Sequence, residues 1–150
     1  MSTTPTDIEA WLAWTPVPAP IVQAGAQVLR RRAADVPASL LGTPALSRLV
    51  EIMVETMRAA PGVGLAAPQI GVPLRLFVAE DTEDRLQRLA PESLAVRGRT
   101  PLPLTLVINP TVEVVTADEV TFYEGCLSVR GYGALVRRAS KVNVVGVDAR

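Results

Sequence analysis

The chain is 150 residues long, 49% apolar and 20% charged, and its 15 basic groups balance 15 acidic ones. That length suits one domain with a real core, the composition excludes a disordered chain, and the balance excludes a general field for nucleic acid or anionic membrane. A single cysteine excludes an internal disulfide framework and fits a reducing compartment, and with no histidine these residues alone cannot make a Ser-His-Asp triad, a Cys-His pair or a His-ligated metal site.

Residues 1–20 lack the basic start, apolar run and cleavage site of a signal peptide. No apolar run reaches the roughly 18 residues that span a bilayer, so a cytoplasmic protein is the default expectation. A short helix is predicted from Asp7 to Trp14, followed by an extended stretch through Pro16, Pro18 and Pro20. Gln27 to Ala34 suits a helical turn or two. The strongest helix runs from about Pro44 to Ala60. Leu46, Leu49, Val50, Met53, Val54 and Met57 recur on one face, with Arg48, Glu51, Glu55 and Arg58 opposite. Thr43 suits the cap and Pro44 the first helical position.

Strands are predicted at Leu74 to Ala79, Leu104 to Ile108, Thr111 to Thr116, Val120 to Tyr123, after Gly133, and at Lys141 to Val147. Asn109-Pro110 is expected to close the second of these. The polar EDTEDRLQRL stretch reads as a loop with a helical turn. A helix followed by antiparallel strands predicts the α+β class.

Two stretches carry chemistry. GVGLAAPQIG, residues 62–71, follows a helix and precedes a strand, the reverse of a dinucleotide fingerprint, and it lacks the P-loop's Gly-Lys-Ser/Thr. It suits a tight turn, or a groove floor where backbone approaches a ligand and Gln69 donates a hydrogen bond. EGCLS, residues 124–128, holds the lone thiol. A lone cysteine is commonly a small buried apolar residue; a thiolate here would suit a soft or borderline metal.

GVGLAAPQIG followed about 55 residues later by EGCLSV resembles the first two signature motifs of bacterial peptide deformylases. The likeness extends through PIVQAGAQVLR, LVINP and GYGALVRRASKV, from about residue 20 to 147. It implies an arm over residues 1–20 and a deformylase-like domain over 21–150, with the amphipathic helix packed on antiparallel strands. It also implies a metallohydrolase that removes the N-formyl group from the initiator methionine of nascent polypeptides, with the ribosome as a further partner.

On that resemblance Cys126 is a ligand of a divalent metal: ferrous iron, or else zinc or nickel. Gln69 and the backbone N–H of Leu127 would stabilise the oxyanion. Val63, Gly64 and Gly125 would pair with an extended substrate, while Glu124 would anchor the cleft. The family's third motif, HExxH on a C-terminal helix, is absent from these residues. The expectation is therefore a C-terminally incomplete domain, inactive alone, in which Val142, Val144 and Leu127 lack their cover. The alternative is a non-catalytic remnant that keeps the peptide groove.

Overall fold

A 16-residue amphipathic helix lies against a four-stranded antiparallel sheet, in a computed structural model that describes residues 8–147. The chain opens with α1 (Ile8–Trp14). Asp7, expected near its cap, lies outside the described residues, as do Asp148, Ala149 and Arg150. Ile8 and Ala19 both enter the core, so residues 8–20 rest on the body of the protein. The Ala19 N–H donates to the buried Thr56 Oγ1 at 2.8 Å.

Next comes α2 (Pro44–Ala59). The Thr43 hydroxyl accepts from the Leu46 N–H at 3.3 Å and caps it, with Pro44 in the first turn. Leu46, Leu49, Met53, Val54 and Met57 are buried as the periodicity predicts, but Ile52 and Thr56 join them while Val50 is only half-buried. The stripe is widened because two layers cover it. The sheet packs on one side, and α1 with the extended arm packs on the other.

After α2 the glycine motif forms β1 (Gly64–Ala66) and a 3-10 turn over Ala67–Ile70. Gly71 ends that turn at φ 86°, a left-handed conformation that a side chain would strain. The main sheet is completed by β2 (Leu76–Asp81), β3 (Leu102–Val114) and β6 (Val142–Val147), ordered β1-β2-β3-β6. Between β2 and β3 lie α3 (Glu83–Leu86), the helical turn expected in the polar excursion, and α4 (Pro91–Arg97), a second helix that follows it. A separate hairpin of β4 (Glu119–Gly125) and β5 (Gly133–Ala139) stands off the main sheet. The α+β class and antiparallel ladders are as the sequence implied. Leu65 opposite Val78, and Leu76 opposite Ile108, bury one sheet face against α2.

Asn109-Pro110 does not end a strand: β3 passes through it, and the two predicted strands are one. The pairing with β6 shifts register between Ile108 and Thr111, which absorbs the proline's missing donor. Asn109 takes φ 51°, a region that asparagine tolerates better than most residues. Its side chain accepts from the Val36 N–H at 2.8 Å and donates to the Val36 carbonyl at 3.0 Å. One amide thus pairs with a buried backbone segment as a neighbouring strand would. Val142 and Val144 are exposed, sharing a face with Val112 and Val114. Leu127 differs from expectation and is half-buried against the core.

Candidate active site

The two motifs form opposite walls of one cleft of about 690 Å³, a size usual for ligand sites. Val63, Gly64 and Gln69 come from the glycine motif, and Gly125, Cys126 and Leu127 from the cysteine motif. What lets the walls meet is the missing side chain at Gly62. A Cβ there would lie 2.8 Å from Leu127 Cδ1, closer than side-chain carbons approach.

Gln69 occupies the meeting point. Its Oε1 accepts from the Ala66 N–H at 2.9 Å, which fixes the amide so that Nε2 faces the other wall. There Nε2 lies 3.3 Å from Ser128 Oγ and 3.8 Å from the exposed Cys126 Sγ. The Leu127 N–H has no protein acceptor among the described residues, and is left available as a donor. Within the β1–β2 pair, the Val63 carbonyl accepts from Glu80 N–H at 3.0 Å. In the alternation of an antiparallel pair, the backbone groups of Gly64 then point away from β2 and toward the cleft. Of those two residues, Gly64 offers the free backbone edge and Val63 its exposed side chain.

Glu124 is placed differently from the rest. It does not line the cleft but takes two hydrogen bonds from Arg138, at 3.0 and 2.7 Å, tying β4 to β5. Arg138 thereby holds its carboxyl below the usual carboxylate range.

Three contributors were not singled out from the sequence. Gln23 stitches the walls to the N-terminal segment: its Nε2 donates to the Leu127 carbonyl at 3.1 Å and its Oε1 accepts from the Arg130 N–H at 3.2 Å. Backbone bonds from Val22 to the Gln69 carbonyl and from Ala24 to the Ser128 carbonyl run alongside. Ser128, buried, presents its hydroxyl to Gln69. Arg85, itself lining the cleft, braces the glycine wall by donating to the Pro61 and Gly62 carbonyls at 2.7 and 3.2 Å. No local pattern marks Gln23 as part of the site, because the partners that place it there lie over a hundred positions away.

These residues do not by themselves fit a catalytic metal centre. Cys126 is one thiol, no histidine occurs in the sequence, and the described residues hold no group of three or more His, Cys, Asp or Glu side chains that could grip an ion.

The family model described as polypeptide deformylase matches residues 18–150. Peptide deformylase 3 of Streptomyces avermitilis is 48% identical over 132 residues, covering 87% of this chain and 56% of its own length. The mitochondrial peptide deformylase of Homo sapiens is 41% identical over 128 residues, covering 85% and 53%. The chain thus spans about half the length of the curated relatives it matches. A Met-Ala-Ser-bound class I type b peptide deformylase from Acinetobacter baumannii shares the fold with a TM-score of 0.76 and 26% identity, over 90% of this chain and 79% of that one. A peptide deformylase from Synechococcus elongatus, in complex with actinonin, gives a TM-score of 0.71 at 30% identity, over 89% and 64%.

Proposed function

Because the chain belongs to the polypeptide deformylase family, we propose that its cleft binds the formyl-methionyl end of nascent polypeptides for hydrolysis to formate and a free amino terminus. The observation that carries this is the convergence of Gln69 and Cys126, 57 positions apart in sequence, on one peptide-sized cleft. Gly64 and Gly125 are assigned to the extended peptide backbone, which adds beside β1 as a further strand. Val63 contributes apolar contact. The Gln69 amide and the Leu127 N–H are assigned to the formyl oxygen as charge builds on it. Losing one such donor typically costs about 10²–10³ in rate. Glu124 acts through Arg138, holding β4 and β5 together so that Gly125 and Cys126 keep their places.

Cys126 is assigned toward a divalent metal, with ferrous iron the first expectation. One thiolate does not hold a catalytic ion, and among the described residues no carboxylate or imidazole lines the cleft to take a proton from water. These residues can therefore bind and polarise a formyl group, while proton transfer needs a group they do not include. A cytoplasmic setting beside the ribosome fits the proposed substrate; no helix among the described residues is long and apolar enough to cross a membrane.

Binding and turnover are measured separately. Formyl-Met-Ala-Ser is expected to shift the amide NMR signals of Gly64, Gly125 and Leu127 in the 150-residue chain, with formate release at background even when metal is supplied. Unmoved amides would remove the peptide-cleft reading. Formate release at the rate of an intact deformylase would show that the proton-transfer group lies within these residues and has been overlooked.

A further inference from the structure

Three arginines of the segment joining β2 to β3 meet at a second, smaller space. Arg85, Arg97 and Arg99 line a cavity of about 360 Å³ together with Val63, Asp81 and Phe122. Val63 and Arg85 also line the peptide cleft, so the two spaces adjoin. Each guanidinium is held in place. Arg85 donates to the Pro61 and Gly62 carbonyls. Arg97 donates to the Tyr123 carbonyl at 2.6 Å and lies 5.0 Å from the centroid of the Phe122 ring. Arg99 donates twice to one Asp81 oxygen, at 2.6 and 3.1 Å.

Positive charge is in excess. Among the described residues Asp81 is the one carboxylate lining the cavity, set against three guanidinium groups, and Glu124, which feels the Arg97 charge from outside it, is already paired with Arg138. Its second oxygen is 3.7 Å from Arg85 Nε and has no hydrogen-bond partner. A carbonyl or a ring face orients a guanidinium without neutralising it. Each guanidinium carries five N–H donors, and most of these remain unspent. Cations fixed in this way bind an anion with little further ordering, and a recessed space lined by one sign of charge concentrates the opposite sign. The adjoining cleft carries the same sign, with Arg85 and Arg130 on its walls and no carboxylate.

We propose that this cavity is an anion subsite whose ligand is a carboxylate of the peptide in the adjoining cleft, supplied by an Asp or Glu side chain or by the peptide's own terminus. The proposal rests on the peptide-cleft reading and deepens it, since the cleft then selects among peptides by charge.

The test compares C-terminally amidated formyl-Met peptides carrying Glu at the second or third position with their Gln counterparts, and formyl-Met-Ala-Ser as free acid with its amide. At least one carboxylate peptide is expected to bind roughly tenfold more tightly than its neutral twin. The pair that differs identifies side chain or terminus as the source. Arg97→Gln should bring that ratio close to one and leave the neutral peptide's affinity unchanged, which also shows that the cleft is intact. Arg97→Lys, which keeps the charge, should retain part of the preference. Ratios near one in the native protein, or a preference that survives Arg97→Gln, would overturn the proposal. If no peptide binds at all, the peptide-cleft reading fails, and with it the assignment of a peptide carboxylate. Titration with inorganic phosphate then judges the cavity alone. Saturable shifts of the Arg85, Arg97 and Arg99 Nε signals support an anion site, and shifts shared equally with the exposed Arg48 refute it.

Discussion

Replacing Gln69 by glutamate puts a negative charge where the amide nitrogen now lies, 3.8 Å from the Cys126 sulfur. The two side chains are nearly the same shape. Glutamate still accepts from the Ala66 N–H and can accept from the Ser128 hydroxyl, so the local fold is retained. What changes is electrostatic. Unit charges about 4 Å apart repel by about 1 kcal/mol in water and about 4 kcal/mol at an effective dielectric of 20. Because Cys126 is exposed, the lower end applies, about 1–1.4 kcal/mol against the thiolate. That free energy slows iodoacetamide alkylation, which runs through the thiolate, by up to about five- to tenfold. At molar salt, where screening acts within about 3 Å, the slowing should diminish. Gln69→Ala is the control: it loses the bond to Ala66 and costs about 1–2 kcal/mol in a urea titration, and it removes the amide beside the thiol without adding charge, so alkylation should slow less than in Gln69→Glu. Equal alkylation rates for native protein and Gln69→Glu would refute the placement of Gln69 beside the thiol.

Asn109→Ala strands the Val36 N–H and carbonyl and puts a Cβ-bearing residue without a polar side chain at φ 51°, a combined cost of about 3–5 kcal/mol by urea titration. Asn109→Gly, free of the backbone strain, should cost less, and equal losses would show that the conformation carries no energy. At Gly146 an added Cβ would sit 2.7 Å from the Ile108 carbonyl oxygen and against Val107, so Gly146→Ala should destabilise by about 1–3 kcal/mol; an unchanged Tm would contradict that approach. Hydrogen bonds from Arg58 hold the Glu80 carboxyl below its ordinary range. This pair's stabilisation is fully present above the ordinary glutamate pKa of about 4.3 and is lost as pH falls through the lower folded value. Arg58→Ala should therefore be less stable than native protein at neutral pH, by under about 1 kcal/mol for so exposed a guanidinium. That gap should close in acid, and a gap independent of pH would refute the assignment.

The parts of the fold legible in the sequence are those where a local pattern alone names the element. α2 could be read because its Leu and Met residues recur at helical spacing, and β6 because valine dominates it even though all six of its residues are exposed. Asn109-Pro110 misled because a local rule, proline as a strand breaker, gave way to a tertiary one. Arg75 donates to the Pro110 carbonyl and Asn109 clasps Val36, so the chain stays extended through the proline. α4 was hidden because it buries no residue and has no apolar stripe to betray it. At the site, GVGLAAPQIG and EGCLS were legible as compact runs of unusual residues. Gln23, Ser128 and the three arginines were not, because their roles depend on partners that only folding brings near. Glu124 sits inside a motif yet faces Arg138, a direction that strand alternation decides and composition cannot.

The contacts that close the cleft have a consequence for the order in which the protein assembles. Gln23 reaches Leu127 across 104 positions and Arg130 across 107, whereas the core joins α2 to β1 and β2 within a short span of chain. Distant contacts bear the larger loop-closure entropy, and they form once nearer ones have limited the search. During synthesis, the helix and first strands can consolidate while the cysteine motif is still unmade. The cleft takes shape only when residues 126–130 return to a segment laid down near the beginning. In a nascent chain the helix and first strands therefore precede the cleft, while β6, the last strand of the main sheet, can only be added after the cysteine motif is made.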